Sequence, residues 1–172
     1  MEKVQFVKTF GGRISILLDR IHGHILLPTA LSLALSLRAA TNLPLSHDEF
    51  YTRHAIQEGL DLHLWEAPSL PYYVVQWIAT GGGALDSDLG LRLVSVIAVA
   101  VTVACVAEAA RQMASKTSAY IAGFLMALSG VALTRAAEAR PYALGLSIFV
   151  ISFLLLLRMM RQQNRSSSLA YG

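Results

Sequence analysis

Leu91-Arg92-Leu93-Val94-Ser95-Val96-Ile97-Ala98-Val99-Ala100-Val101-Thr102-Val103-Ala104-Cys105-Val106-Ala107-Glu108-Ala109-Ala110 carries charge only near its two ends, at Arg92 and Glu108. At a helical rise of about 1.5 Å per residue this run is about 30 Å long, the thickness of a bilayer's hydrocarbon core. It reads as a transmembrane helix, and the rest of the chain repeats the pattern. Hydrophobic residues make up 55% of the 172 residues and charged residues 15%, far from a soluble average. Similar runs cover Ile21 to Ala40, Ser118 to Thr134 and Tyr142 to Leu157. The expected fold is therefore an all-α polytopic membrane protein with about four transmembrane helices. Pro28 near the start of the first span is tolerable there, and Arg38 near its end is placed to snorkel.

Between the first two spans lies a polar interval, Thr41 to Asp88, and its opening, Ser46-His47-Asp48-Glu49-Phe50-Tyr51, is the densest knot of ionisable and aromatic residues in the chain. Two adjacent carboxylates beside a histidine suit a general base with a supporting acid. Taken alone they better suit the first turn of a helix, where free amide donors and the helix dipole favour negative charge. Asp48 to Leu60 is expected as a short amphipathic helix stopped near Gly59. Pro71 to Ile78, apolar but too short to span before Gly81-Gly82-Gly83, is expected as an interfacial or re-entrant helix anchored by Tyr72, Tyr73 and Trp77.

Basic residues set the expected orientation. With four spans, Lys3, Lys8, Arg13, Arg20, Arg111, Lys116, Arg158, Arg161 and Arg165 fall on one side, and Arg38, Arg53, Arg92, Arg135 and Arg140 on the other. The positive-inside rule then puts both termini in the cytoplasm and Asp48 and Glu49 outside it. Arg135, Glu138, Arg140 and Tyr142, in the turn before the fourth span, share that outer face. They read either as interface anchors with a local Arg135–Glu138 pair, or as a phosphate site served by Arg135 and Arg140. Spacing alone does not choose between these.

The domain reading is a basic N-terminal segment over residues 1–20, lying on the membrane surface or frayed; a membrane module over 21–160 with its loop at 41–88; and a polar tail over 161–172, expected to be disordered. A net charge of +3 argues for no nucleic-acid partner, and the single Cys105 excludes an internal disulfide. His47, Asp48, Glu49, His54 and His63 are metal-ligand types, but their spacing matches no zinc motif. No metal is assigned; a divalent cation beside Asp48 or Glu49 is left open. His22 and His24 mark the cytoplasmic interface.

Four motifs in order resemble the N-terminal part of GT-C-type membrane glycosyltransferases, the protein mannosyltransferase and aminoarabinose- or galacturonosyl-transferase-like group. They are His47-Asp48-Glu49, Pro68-Ser69-Leu70-Pro71-Tyr72-Tyr73, Gly90-Leu91-Arg92-Leu93-Val94-Ser95, and Glu138-Ala139-Arg140-Pro141-Tyr142-Ala143-Leu144. The resemblance implies sugar transfer from a polyprenyl-phosphate donor to an extracytoplasmic acceptor by an inverting mechanism, in a bacterial inner membrane. It implies Asp48 as the catalytic base, with Glu49 as a supporting or metal-facing acid. It also implies Arg140 and Tyr142 at the lipid phosphate, Glu138 orienting Arg140, and Tyr72 among the substrate-binding residues. Two departures stand out: Ala67-Pro68-Ser69-Leu70-Pro71 lacks the family's usual histidine before the aromatic pair, and Val94 stands where proline is common. Arg158 to Gly172 reads like an ending, whereas such enzymes continue through many spans. The chain is therefore expected to be a fragment, a truncated product or one piece of a split enzyme. A non-catalytic membrane subunit assembling with a partner is the alternative reading, and a small transporter or channel subunit the third. The span centres nearly lack the charges that mark an ion pathway.

Overall fold

The structure, a computed structural model, describes residues 22–57, 70–84 and 87–170, with side chains to 162. All of its secondary structure among these residues is helical. In chain order the helices are α1 (Gly23–Asn42), α2 (His47–Gln57), α3 (Leu70–Ala79), α4 (Asp88–Met113), α5 (Lys116–Ala127), α6 (Gly130–Ala136) and α7 (Pro141–Ala170). The basic segment expected over residues 1–20 lies outside the described residues, as do His63, Trp65, Glu66 and Pro68.

The quoted run became the central helix. Helix α4 starts at Asp88 behind Ser87, whose side chain accepts from the Gly90 amide, a polar N-cap that satisfies one of the amides left over at a helix start. It packs against α1, α5, α6 and α7. Its most apolar window is 61% buried, against 33% in α1 and 22% in α7, so α4 is the axis and the other two face outward on much of their surface. The contacts are built from small side chains: Ala98, Val99, Ala132, Ala136 and Ala143 form one buried cluster. Small residues let backbones approach closely where hydrocarbon lipid provides no hydrophobic drive for helix association. Gly123 is the extreme case, since a Cβ there would stand 2.8 Å from Pro28 of α1 and 3.2 Å from Ala107 of α4.

Among the described residues, three helices are long and apolar enough to cross a membrane: Gly23–Asn42, Asp88–Met113 and Pro141–Gln162. The expected third span is broken. It consists of α5 and α6, bent by 57°. The break has a local cause at Leu128-Ser129-Gly130, where Ser129 turns extended and its side chain caps a new helix by accepting from the Ala132 amide at 3.5 Å. Taken together as one bent span, the pair passes the same length and composition criterion and brings the number to four. The tail departs from expectation too: α7 continues as helix to Ala170. Pro141 opens that helix, a position where its missing N–H costs nothing and its fixed φ is already helical.

Helices α1 and α4 run antiparallel. At one end of the bundle Arg92 of α4 reaches the C-terminal carbonyls of α1, and at the other end His24 of α1 approaches Glu108 of α4 at 3.8 Å. The short helices α2 and α3 both lie at the first end. The turn after α3 runs through Gly81, Gly82 and Gly83, with φ of 62°, 72° and 91°, a left-handed path that glycine follows without steric cost.

Candidate active site

At the first end of the bundle, α2, the start of α4 and the turn between α6 and α7 converge, and the link is Glu49. Its side chain is 1% exposed, yet both oxygens are fully engaged. Oε1 accepts from Arg92 Nε at 2.7 Å and from the Ala139 amide at 2.8 Å. Oε2 accepts from Arg92 Nη2 at 2.8 Å and from the Ser46 amide at 2.7 Å. The last bond is one half of a capping box, the glutamate in the first turn reaching back to the residue that precedes the helix.

Arg92 is equally saturated. Besides its two bonds to Glu49 it donates through Nη1 to the carbonyls of Ala40 and Leu43, both at 2.7 Å, and through Nη2 to Pro44 at 2.9 Å. Those bonds use all five N–H donors of a guanidinium. An arginine inside the apolar end of a span is costly unless its charge is met and its donors are used; here it ties the end of α1, the α1–α2 loop and α2 to α4. Burial pushes the Glu49 carboxyl up, but the bonds from Arg92 and from the Ser46 and Ala139 amides outweigh it, and the group lies below its ordinary value. It is thus a carboxylate at neutral pH. Thr52, one turn on, closes the same contact by donating to the Ala139 carbonyl at 3.1 Å, so both polar groups of the Ala139 peptide unit are held by α2. Ile56, Leu91 and Ala139 fill the space beneath.

Asp48 lies outside this clamp. Its side chain is 53% exposed and its Oδ2 stands 3.0 Å from Arg140 Nη1. Arg140 also donates to the Tyr142 hydroxyl at 3.1 Å. The guanidinium carbons of Arg135 and Arg140 both lie 4.7 Å from the Tyr142 ring centroid, within cation–π range. Glu138 bonds Arg135 at 2.9 Å, so the carboxylate that meets Arg140 is Asp48 and not Glu138. Arg53, one turn after Glu49, pairs with Asp88 at 2.6 Å and pins α2 to the start of α4.

The residues singled out from the sequence thus separate into three settings. Asp48, Arg140, Tyr142, Glu138 and Arg135 share one accessible surface. Glu49 lies beneath it, directed at Arg92 and away from any solvent-facing cation position. Tyr72 is elsewhere again: it is 2% exposed, on the face of α3 that meets α4, with Gln76 one turn on donating to the Leu91 carbonyl. Its hydroxyl lies beside Ser95 without a well-formed bond, and burial pushes its acidity well down, raising the pKa. His47 stacks edge-on with Tyr51, ring centroids 5.3 Å apart. Among the described residues no three His, Cys, Asp or Glu side chains converge as a metal site requires. Arg92 entered the sequence reading only through the orientation count and the Gly90–Ser95 motif, with no partner or site role. Its signal was present, because a charged residue within an apolar span implies a partner, but nothing in the spacing named Glu49.

Chemically, the accessible group pairs an exposed carboxylate with a guanidinium braced on an aromatic ring, an acceptor for a proton beside a binder for an oxyanion. The comparison with protein families matches residues 69–172 to the model for dolichyl-phosphate-mannose-protein mannosyltransferase. The match takes in Arg92, Glu138, Arg140 and Tyr142; Asp48 and Glu49 precede it and join it only through the contacts above. Neither curated proteins nor solved structures returned a significant match. With its apolar helices and a match over more than half of its length, this integral membrane protein belongs to the dolichyl-phosphate-mannose-protein mannosyltransferase family, membrane glycosyltransferases of the GT-C kind.

Proposed function

We propose that the chain transfers a sugar from a polyprenyl-phosphate donor to an acceptor hydroxyl on the extracytoplasmic side of a bacterial inner membrane, with both termini cytoplasmic. Asp48 takes the proton of the acceptor hydroxyl as its oxygen attacks the anomeric carbon from the face opposite the phosphate. The bond from that carbon to the phosphate oxygen breaks, its electron pair leaves with the phosphate, and the anomeric configuration inverts. A sugar hydroxyl is a weak nucleophile and needs the base; the departing phosphate gains charge and needs the cation. Arg140, steadied by Tyr142, meets that charge, and Arg135 adds to the positive field. Glu49 and Arg92 position Asp48 by fixing the backbone of α2 against α4 and the Ala139 turn. The distribution of basic residues supports the orientation.

The observation that carries this reading is the 3.0 Å approach of Asp48 Oδ2 to Arg140 Nη1. It joins the acidic loop to the arginine of the matched family region at one end of the bundle. The test is Asp48→Asn in the full chain, assayed in membranes with a polyprenyl-phosphate-linked sugar. Transfer is expected to disappear while membrane insertion persists. Retained transfer overturns Asp48 as the base.

A further inference from the structure

The Asp48–Arg140 pair poses a problem for the reaction just described, and the geometry contains its resolution. The base is engaged by the cation that is to bind the donor. We propose that Asp48 and the donor phosphate compete for Arg140, so that arrival of the donor is what releases the base. The chain holds Asp48 in an ion pair until phosphate replaces it on the guanidinium. This inference rests on the reading of Arg140 as the phosphate's partner.

Four observations support the exchange. First, the other arginines of α2, of the start of α4 and of the turn before α7 are also matched: Arg135 to Glu138, Arg53 to Asp88, and Arg92 to Glu49. A phosphate entering here therefore displaces a carboxylate. Second, the pair is accessible, with Asp48 53% and Arg140 31% exposed, whereas Glu49–Arg92 is sealed. Exposed pairs are weak, and a phosphate offers more acceptor oxygens to a planar guanidinium than one carboxylate oxygen does. Third, Arg140 keeps its place when the carboxylate leaves, because Tyr142 holds it by a hydrogen bond and by its ring. Fourth, Asp48 moves alone. The neighbouring Glu49 locks the backbone through Ser46, Ala139 and Arg92, so only the Asp48 side chain changes rotamer, a fast motion for an exposed residue. The consequence is ordered chemistry: without donor the base is occupied, and an acceptor hydroxyl finds no strong proton acceptor. By linkage, the factor by which phosphate loosens Asp48 equals the factor by which Asp48 weakens phosphate.

The experiment measures binding of a sugar-free polyprenyl phosphate to the full chain in detergent. Removing the competing carboxylate in Asp48→Asn is expected to tighten binding by about two- to fivefold, the range of an exposed ion pair. Arg140→Gln is expected to weaken it. The gain from Asp48→Asn is expected to vanish in the Arg140→Gln background. Unchanged or weaker binding in Asp48→Asn overturns the exchange. So does a gain that persists in the double variant, which marks simple charge repulsion. If Arg140→Gln leaves affinity unaltered, the phosphate assignment of Arg140 falls as well, and the exchange with it. Asp48→Ala replaces the asparagine variant should that one fail to fold.

Discussion

Two acid–arginine pairs lie within a few residues of each other in this molecule, and they differ in almost every physical respect. Glu49–Arg92 is sealed, both side chains 1% exposed, with every oxygen lone-pair direction and N–H met by a defined partner. Asp48–Arg140 is a single contact at 3.0 Å in water. The first is expensive to break because either charge left alone would be buried. The second is cheap to break because water replaces the lost partner. Adjacent acids are therefore held differently: one fixes the loop in place, and the other sits in a pair open to solvent. The far end of the bundle sharpens the contrast. There the hydrogen bonds of Glu108 go to Arg111 and Gln112 of its own helix, and a distant segment meets it only through the looser 3.8 Å approach of His24.

The comparison is broken most severely at its buried half. Arg92→Met strands the Glu49 carboxylate and is expected to cost about 3–5 kcal/mol, read as a large loss of thermal stability or of folded yield in detergent. A change comparable to that of a surface pair would show that the clamp is not closed. Acid probes the same pair without mutation. Because the folded-state pKa of Glu49 lies below its ordinary value near 4.5, its contribution is fully present above that value. It is lost as pH falls through the lower folded value. Thermal stability is expected to drop over that acidic window in the wild type and to show a shallower drop in Glu49→Gln. Thr52→Val is expected to cost about 1–3 kcal/mol, since it leaves the buried Ala139 carbonyl without its donor. Smallest in stability is the accessible half. Asp48→Asn is expected to shift stability by less than about 1 kcal/mol while eliminating sugar transfer. A stability loss as large as that of Arg92→Met would mean that Asp48 is structural like its neighbour.

Parts of this architecture were readable in advance, for reasons tied to particular residues. Long apolar runs bounded by charge placed α1, α4 and α7 to within a few residues of their cores, because a span's length is dictated by the bilayer and its composition by the cost of burying charge. The short helices α2 and α3 were expected close to where they form, the second ending just before Gly81-Gly82-Gly83. The break between α5 and α6 was not, since Ser129-Gly130 sits in an otherwise continuous apolar run and only the restart of the helix on a serine cap exposes it. Glu49 had a usable signal in Ser46-x-x-Glu49, the spacing by which a glutamate reaches back to a helix's preceding amide. The helix-start reading of the acidic pair pointed that way without naming the Ser46 amide.

By itself, the sequence determined that this is an all-helical membrane protein and which short segments carry its ionisable groups. Hydrophobic length and residue chemistry are properties of neighbours along the chain, and they need no partner to be expressed. Only the tertiary structure decided which acid meets which arginine. Successive residues on a helix point about 100° apart, so Asp48 and Glu49 face different surroundings. Those surroundings are supplied by distant segments: Arg92 is 43 residues from Glu49, and the Ala139 amide 90 residues away. Packing of α2 against α4 and the Ala139 turn converts an undivided acidic pair into one buried anchor and one exposed carboxylate.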